Sequence, residues 1–390
     1  MNIGKNKKVG IVTLYHKNYN FGGLLQAYAL PVALEKYLGI SAEQIDYVFQ
    51  YQEQPKTKDT ISLINIINNI GYVFFTKLEN KSLQKRKQAF EQFINFIPHS
   101  KHSYEDDTIS ESLDIYSKFI CGGDQIWNDC QQIHWYRNED SNVFTLQFVP
   151  ENVKKISYAP SMAVLGLTDG FKKVFRKGIH RLDAISLRER QALPVLQELT
   201  DKPITVTVDP VLLLEEREWL KIIRYPKIRK KYILCYLLGD SLEQRKAVKI
   251  FASKTKCKTL TFPHILGDVR KCDLFFGDIH DYTSGPREFI GLIKNAEFVI
   301  TDSFHACVFS MIFEKPFVVF ERNKIGEKGN MNSRIYDFLE EYHLENQLVT
   351  EKELEDMNKI PEIDFTYAHE HWKKRREESL EYLENALKNN

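Results

Sequence analysis

Apolar residues in this chain fall in short runs separated by longer amphipathic stretches, the rhythm of strands alternating with helices. The run at 9–15 ends in a loop, 18–23, that contains Gly22 and Gly23. A helical spacing follows, with Leu24, Ala27, Leu30, Leu34 and Leu38 on one face and Gly39 as its stop signal. Pro31 falls inside this helix, where it removes a hydrogen bond and predicts a kink. A second strand is expected at 45–49. Strand, loop, helix and strand in that order is how a parallel, doubly wound sheet begins.

Residues 52–112 break the rhythm: they are polar, helical in tendency and carry the basic run 81–87, and are read as a helical insertion. Strands return at 119–121, 155–158, 184–187 and 204–208. The charged stretch 215–231 has the composition of a linker. A second α/β unit opens at 232–238, an almost unbroken apolar run typical of a strand buried on both faces. Helices are expected at 241–254, 286–296 and 305–313, with strands at 258–262, 298–301 and 317–320. A final amphipathic helix carries Trp372, Leu380, Leu383 and Leu387 on one side. The pattern predicts an α/β fold of two Rossmann-like lobes facing across a cleft. The first covers 1–205 with the insertion at 52–112, a linker region spans 206–231, the second lobe covers 232–360, and helix 361–390 packs back on both.

Composition narrows the classes. A chain of 390 residues exceeds what one core usually holds, which agrees with two lobes. Its 54 basic and 53 acidic residues nearly cancel, so nothing calls for nucleic acid as a partner. Six cysteines stand without Cys-x-x-Cys spacing and read as buried thiols rather than disulfides or a zinc site. No other ligand cluster suggests a metal. The apolar run at 9–15 meets His16, Lys17 and Asn18 with no small-residue cleavage site after it, and no stretch reaches membrane-spanning length. The chain reads as cytoplasmic.

In open α/β sheets, ligands bind beyond the carboxyl ends of the strands, where free N–H groups and helix dipoles favour anions. Three segments fit. Thr301 to His305 runs from a strand into a helix and offers the Ser303 hydroxyl and the His305 imidazole; the plainer reading is a helix cap and a core histidine. Cys121 to Asn128 carries Gly122-Gly123, which permit close backbone approach, and the carboxylate of Asp124; a tight turn capped by Asp124 is the alternative. Asn18 to Gln26 holds Gly22 and Gly23 ahead of a helix without Gly-x-Gly-x-x-Gly. Arg188, after the strand at 184–187, suits a carboxylate or phosphate as a planar fork, or pairs with Glu189 at the surface. Asp209 precedes Pro210 as a turn or a site carboxylate.

The order of these motifs resembles the polysaccharide pyruvyltransferase family. It is carried by Asn20-Phe21-Gly22-Gly23 with Leu25 to Leu30, Gly122 to Asn128, and Ser157-Tyr158-Ala159-Pro160-Ser161. Ile185 to Glu189, Val208-Asp209-Pro210, Ile300 to His305 and Asn332 to Ile335 continue it, over about residues 8 to 345. The resemblance implies a GT-B-like pair of lobes that binds phosphoenolpyruvate and converts a sugar diol into its pyruvate ketal, without a cofactor. It places Arg188, Ser303, Phe304, His305 and Arg334 at the donor and gives proton handling to His305, Asp124 and Asp209. Asn20, Gly22, Gly23, Gln26, Gly123, Asn128 and Ser161 fall on the cleft loops. Some members read Arg-Leu-His where this chain has Ser303-Phe304-His305, so one donor-binding cation is absent and Arg334 or Lys324 is the candidate to replace it.

Other readings stay open at this point: a nucleotide-sugar glycosyltransferase on the same fold, and a catalytically silent binding protein. The resemblance also implies an acceptor built on a lipid carrier. Residues 61–75 are apolar and Lys81, Lys85, Arg86 and Lys87 follow, as an interfacial helix at the inner face of a membrane would require. The alternative is that 61–75 packs on the first lobe and the basic residues are solvated.

Overall fold

Two five-stranded parallel sheets organise the chain, and both have the same strand order. The computed structural model describes residues 8–48, 83–129, 142–163, 166–228, 230–263, 271–273, 275–322 and 332–388. Strands β1 (Lys8–Val12), β2 (Ala42–Tyr47), β3 (His99–Tyr104), β4 (Tyr116–Gly122) and β5 (Lys154–Tyr158) pair in the order β3-β2-β1-β4-β5. A short parallel pair, β6 (Ile185–Leu187) and β7 (Ile204–Val206), continues from β5 through a bridge between Ile156 and Ala184. The second sheet holds β8 (Tyr232–Tyr236), β9 (Lys258–Thr261), β10 (Ile279–His280), β11 (Phe298–Thr301) and β12 (Phe317–Val319) in the order β10-β9-β8-β11-β12. Tyr232–Tyr236 is buried along its whole length, as its unbroken apolar run predicts.

Eleven helices are described: α1 (Phe21–Leu38), α2 (83–94), α3 (Asp169–Ile179), α4 (Leu193–Gln197), α5 (Glu216–Ile222), α6 (Leu242–Thr255), α7 (Pro286–Asn295), α8 (Phe304–Ile312), α9 (Ser333–Glu341), α10 (Glu351–Asp356) and α11 (Thr366–Lys388). The α1 helix starts where the Asn20 side chain accepts from Gly23 N at 3.1 Å, and stops at Gly39 in the left-handed region (φ 64°). Helix α1 continues through Pro31. The Ala27 carbonyl, which Pro31 cannot serve, accepts instead from Gln44 Nε2 at 2.7 Å. Helix α1 is not amphipathic in the manner its leucine spacing suggests. Phe21, Leu25, Tyr28, Ala29 and Ala33 are buried as well, because α1 lies between the two lobes.

The helical reading of 52–112 needs correction at its end. His99–Tyr104 is a strand that pairs with β2, so it belongs to the first sheet. Arg86 also departs from the basic surface cluster expected of it. The side chain is buried, and it donates to the carbonyls of Pro263, at 2.9 Å, and Asp281 in the second lobe. Aromatic burial draws α2 there: Phe21 stacks on Phe90 (4.9 Å) and Phe289 (4.4 Å) and meets Phe262 edge-on. Each such fully buried ring contributes about 2–3 kcal/mol. Lys85 and Lys87 are exposed, while residues 61–75 and Lys81 lie outside the described residues.

The charged segment at 215–231 contains α5, whose Trp219 is fully buried. The last helix lies along the segment before α5. Trp372 Nε1 donates to Leu212 O at 2.7 Å and Arg376 Nε to Leu213 O at 2.7 Å. At one end of the same helix Tyr382 reaches Ser157 O, and toward the other His369 Nε2 lies 2.9 Å from Met311 O in α8. No helix among the described residues is long and apolar enough to cross a membrane.

Candidate active site

The loop after β4 can only be built from glycine. A Cβ on Gly122 would sit 1.9 Å from Tyr158 O, and one on Gly123 would sit 2.3 Å from Gln26 Oε1. Gly123 also has φ 103°, in the left-handed region. This turn presents Asp124 to two arginines. Asp124 Oδ1 accepts from Arg188 Nη2 at 2.9 Å and from Arg334 Nη1 at 2.7 Å. Arg188 follows β6 and Arg334 stands in the first turn of α9, so one carboxylate oxygen joins cations from opposite lobes.

Arg188 is held on every side. Its Nε donates to Glu189 at 3.0 Å and its Nη1 to Asp209 at 2.5 Å, while its guanidinium lies 4.7 Å from the centre of the Phe304 ring. The expected pairing with Glu189 is therefore real but buried, and it is one of three. Glu189 is itself fixed by the Ser161 hydroxyl and by Met162 N. Asp209 Oδ1 accepts from Val211 N at 2.9 Å, and its Oδ2 lies 3.6 Å from His305 Nε2.

His305 occupies the first turn of α8, pressed against the start of α1. A Cβ on Gly22 would fall 2.0 Å from His305 Nδ1, so the glycine opening α1 is what admits this ring. Ser303 immediately precedes helix α8, and its N–H donates to Thr301 Oγ1 at 3.0 Å. Phe304 separates His305 from the wall formed by Phe338.

Burial alone would raise Asp124, but Arg334 and Arg188 beside it, with His305, hold it well below the usual carboxylate range. Burial likewise opposes ionisation of Asp209, and His305, Arg188 and the Val211 N–H outweigh it and lower it. Desolvation pulls Arg188 down, yet Glu189, Asp124 and Asp209 lift it above its ordinary value. Arg334 is lowered by burial and by Arg188 and Arg322. Two guanidinium groups thus face three carboxylates, and the cluster carries a formal net charge of −1 with His305 uncharged.

The structure brings Arg188, Asp124, Asp209, Phe304, His305 and Arg334 together. The remaining expected residues shape the loops around them. Asn20 caps α1 ahead of Gly22 and Gly23, and Gln26 donates to Thr13 Oγ1 and Gly23 O beneath Gly123. Asn128 is buried, 3.3 Å from Gln125 Oε1, and Ser161 holds Glu189. Glu189 and Asp302 were not singled out as site residues. Asp302 accepts from Leu238 N and Gly239 N at 2.8 and 2.6 Å and sets the loop after β8, while Arg322 donates to its carbonyl. The signal for Glu189 was its place beside Arg188, read there only as a surface pair. Lys324 lies outside the described residues.

Two facing Rossmann-like lobes, with charged residues from both meeting at the carboxyl ends of their strands, define a GT-B-like fold. The chain belongs to the polysaccharide pyruvyl transferase family, whose model matches residues 20–324. No curated protein matches this sequence. Among solved structures, it is similar to a variant of the wall teichoic acid polymerase TagF, at 11% identity and TM-score 0.50, over 98% of this chain and 89% of that one. A putative UDP-N-acetylglucosamine 2-epimerase from Listeria monocytogenes aligns at 11% identity and TM-score 0.49, over 94% of each chain. The UDP-GlcNAc 2-epimerase from Neisseria meningitidis aligns at 10% identity and TM-score 0.47, over 98% of this chain and 99% of that one.

Proposed function

We propose that this protein transfers the pyruvyl unit of phosphoenolpyruvate to two hydroxyls of a sugar, forming a pyruvate ketal and releasing phosphate. Family membership supports pyruvyl transfer. The observation that carries the finer reading is the buried set in which Asp124 joins Arg188 and Arg334 beside the Asp209–His305 couple.

Protonating the donor's methylene carbon makes a methyl group and an oxocarbenium-like centre at the adjoining carbon. One sugar hydroxyl attacks that centre and gives up its proton. The carbon–oxygen bond to phosphate then breaks, the second hydroxyl closes the ketal, and its proton leaves with phosphate. His305 is the group that moves protons, with Asp209 orienting its ring and stabilising the imidazolium. Asp124 and Asp209 are held ionised by their cations, which makes them weak bases and good orienters. Arg188 and Arg334 meet the donor's anionic groups as planar guanidinium forks, one from each lobe.

A trianionic donor needs more positive charge than this cluster supplies. Arg322 and Lys324, which follow β12, are the cations proposed to complete the phosphate grip where Ser303 replaces arginine. The test is release of inorganic phosphate from phosphoenolpyruvate in the presence of free and lipid-linked glycosides, with the product followed by mass spectrometry. A glycoside-dependent gain of the pyruvyl mass is expected. Release of a nucleoside diphosphate from a nucleotide sugar, with phosphoenolpyruvate untouched, would overturn the proposal.

A further inference from the structure

On the second lobe, away from the charged cluster, one side chain stands out of the fold altogether. Phe275 is 91% exposed. Phe275 has φ 63°, Lys249 Nζ donates to its carbonyl at 2.9 Å, and Phe276 beside it is buried under Arg245, which pairs with Asp273 at 3.0 Å. The loop therefore drives one phenylalanine into the core and holds the next one outward.

Lysines surround it. Leu242, Lys246, Lys249 and Ser253 recur at helical spacing along the exposed face of α6, and Lys256 follows just past its end. Leu242 is 61% exposed. Lys249, Lys256 and Lys258 border a shallow depression with Phe275 on its rim. The acidic group in that depression, Asp278, is already paired with Lys258 at 2.8 Å. The end of this face around Phe275 is thus basic, while Leu242 lies at the other end beside Asp240 and Glu243.

We propose that this face docks on an anionic lipid surface, with a headgroup phosphate among Lys249, Lys256 and Lys258 and Phe275 entering the acyl boundary. Charge complementarity selects an anionic partner, and the exposed Phe275 ring selects one with an apolar layer under its charge. A free polyanion would satisfy the lysines and leave Phe275 in water. This inference is independent of the pyruvyl transfer reading.

The experiment sediments the full chain with vesicles of phosphatidylcholine alone, or with about 30% phosphatidylglycerol, at low and raised salt. The wild type is expected to bind the anionic vesicles and release them as salt rises. Lys246→Glu combined with Lys256→Glu should lower partitioning at least about thirtyfold. Both positions are exposed, so these changes leave the core intact. Phe275→Ser should weaken binding severalfold without changing its salt dependence, and Phe275→Trp should shift its emission to the blue on anionic vesicles. Failure of the wild type to sediment overturns the proposal. So does binding unchanged by both sets of substitutions, or retention on heparin with no response to Phe275→Ser.

Discussion

The two lobes share one topology and use it differently. In each, the strand order places the first and fourth strands side by side, so the loops after β4 and β11 occupy equivalent positions at the switch point of their sheets. The first lobe uses that position for a carboxylate, Asp124, on a glycine turn. The second uses it for an imidazole, His305, in the first turn of a helix. Neither loop makes a site alone. Asp124 needs Arg334 from the second lobe, and His305 needs the bare Gly22 of the first. The chemistry is divided between lobes, so the approach between them is as much a part of the site as any side chain.

The largest effect should come from breaking that approach. His305→Ala is expected to lower turnover at least about a hundredfold, as loss of a general acid–base group does. Gly22→Ala should match it, since the added methyl falls where the imidazole stands, although no reacting group is removed. Steady-state phosphate release, with circular dichroism as a folding control, checks both. Wild-type turnover in Gly22→Ala would show that the contact is incidental.

The carboxylates should separate by the group each one supports. Asp209→Asn weakens the support of His305 and should reduce kcat about tenfold while donor affinity changes little. Asp124→Asn loosens both arginines and should raise the KM for phosphoenolpyruvate more than it lowers kcat. Equal effects on both constants in both variants would remove the distinction.

Gly123→Ala should destabilise the protein by about 1–3 kcal/mol in thermal or denaturant unfolding. Gly39→Ala, at φ 64° with open space around it, should cost about 1 kcal/mol. The smallest expected effect depends on pH. Burial, with Glu189, Glu340 and Glu341 nearby, pushes Asp337 up to about 6, against the Gln191 N–H that lowers it. A carboxyl raised on folding favours the folded state below its unfolded value near 3.9 and loses that contribution as pH climbs toward 6. Asp337→Asn should therefore raise the melting temperature at pH 7, by the equivalent of about 1 kcal/mol after solvent screening, and leave it unchanged at pH 4.

Much of this was legible from residues alone. Strands β1, β4, β8 and β11 announce themselves as apolar runs, and α1 by its Asn20 cap and Gly39 stop. The glycines around Asp124 and the residue types at Arg188, Asp209 and His305 mark strand ends where ligands bind. His99–Tyr104 was not legible, since its polar sequence becomes a strand only because β2 offers an edge. Arg86 was not either, because nothing local distinguishes a solvated arginine from one drawn 177 positions along the chain to Pro263.

The sequence by itself determined two α/β lobes, the family and the residue types that gather at the strand ends. Periodicity, turn residues and motif order are local properties, and they survive without knowledge of partners. Tertiary structure alone decided that Arg188 is enclosed by three carboxylates, that Asp124 joins arginines of both lobes, and that Gly22 exists to admit His305. Those facts follow from which groups lose water together when the lobes meet, and burial fixes the strength and even the sign of each electrostatic effect.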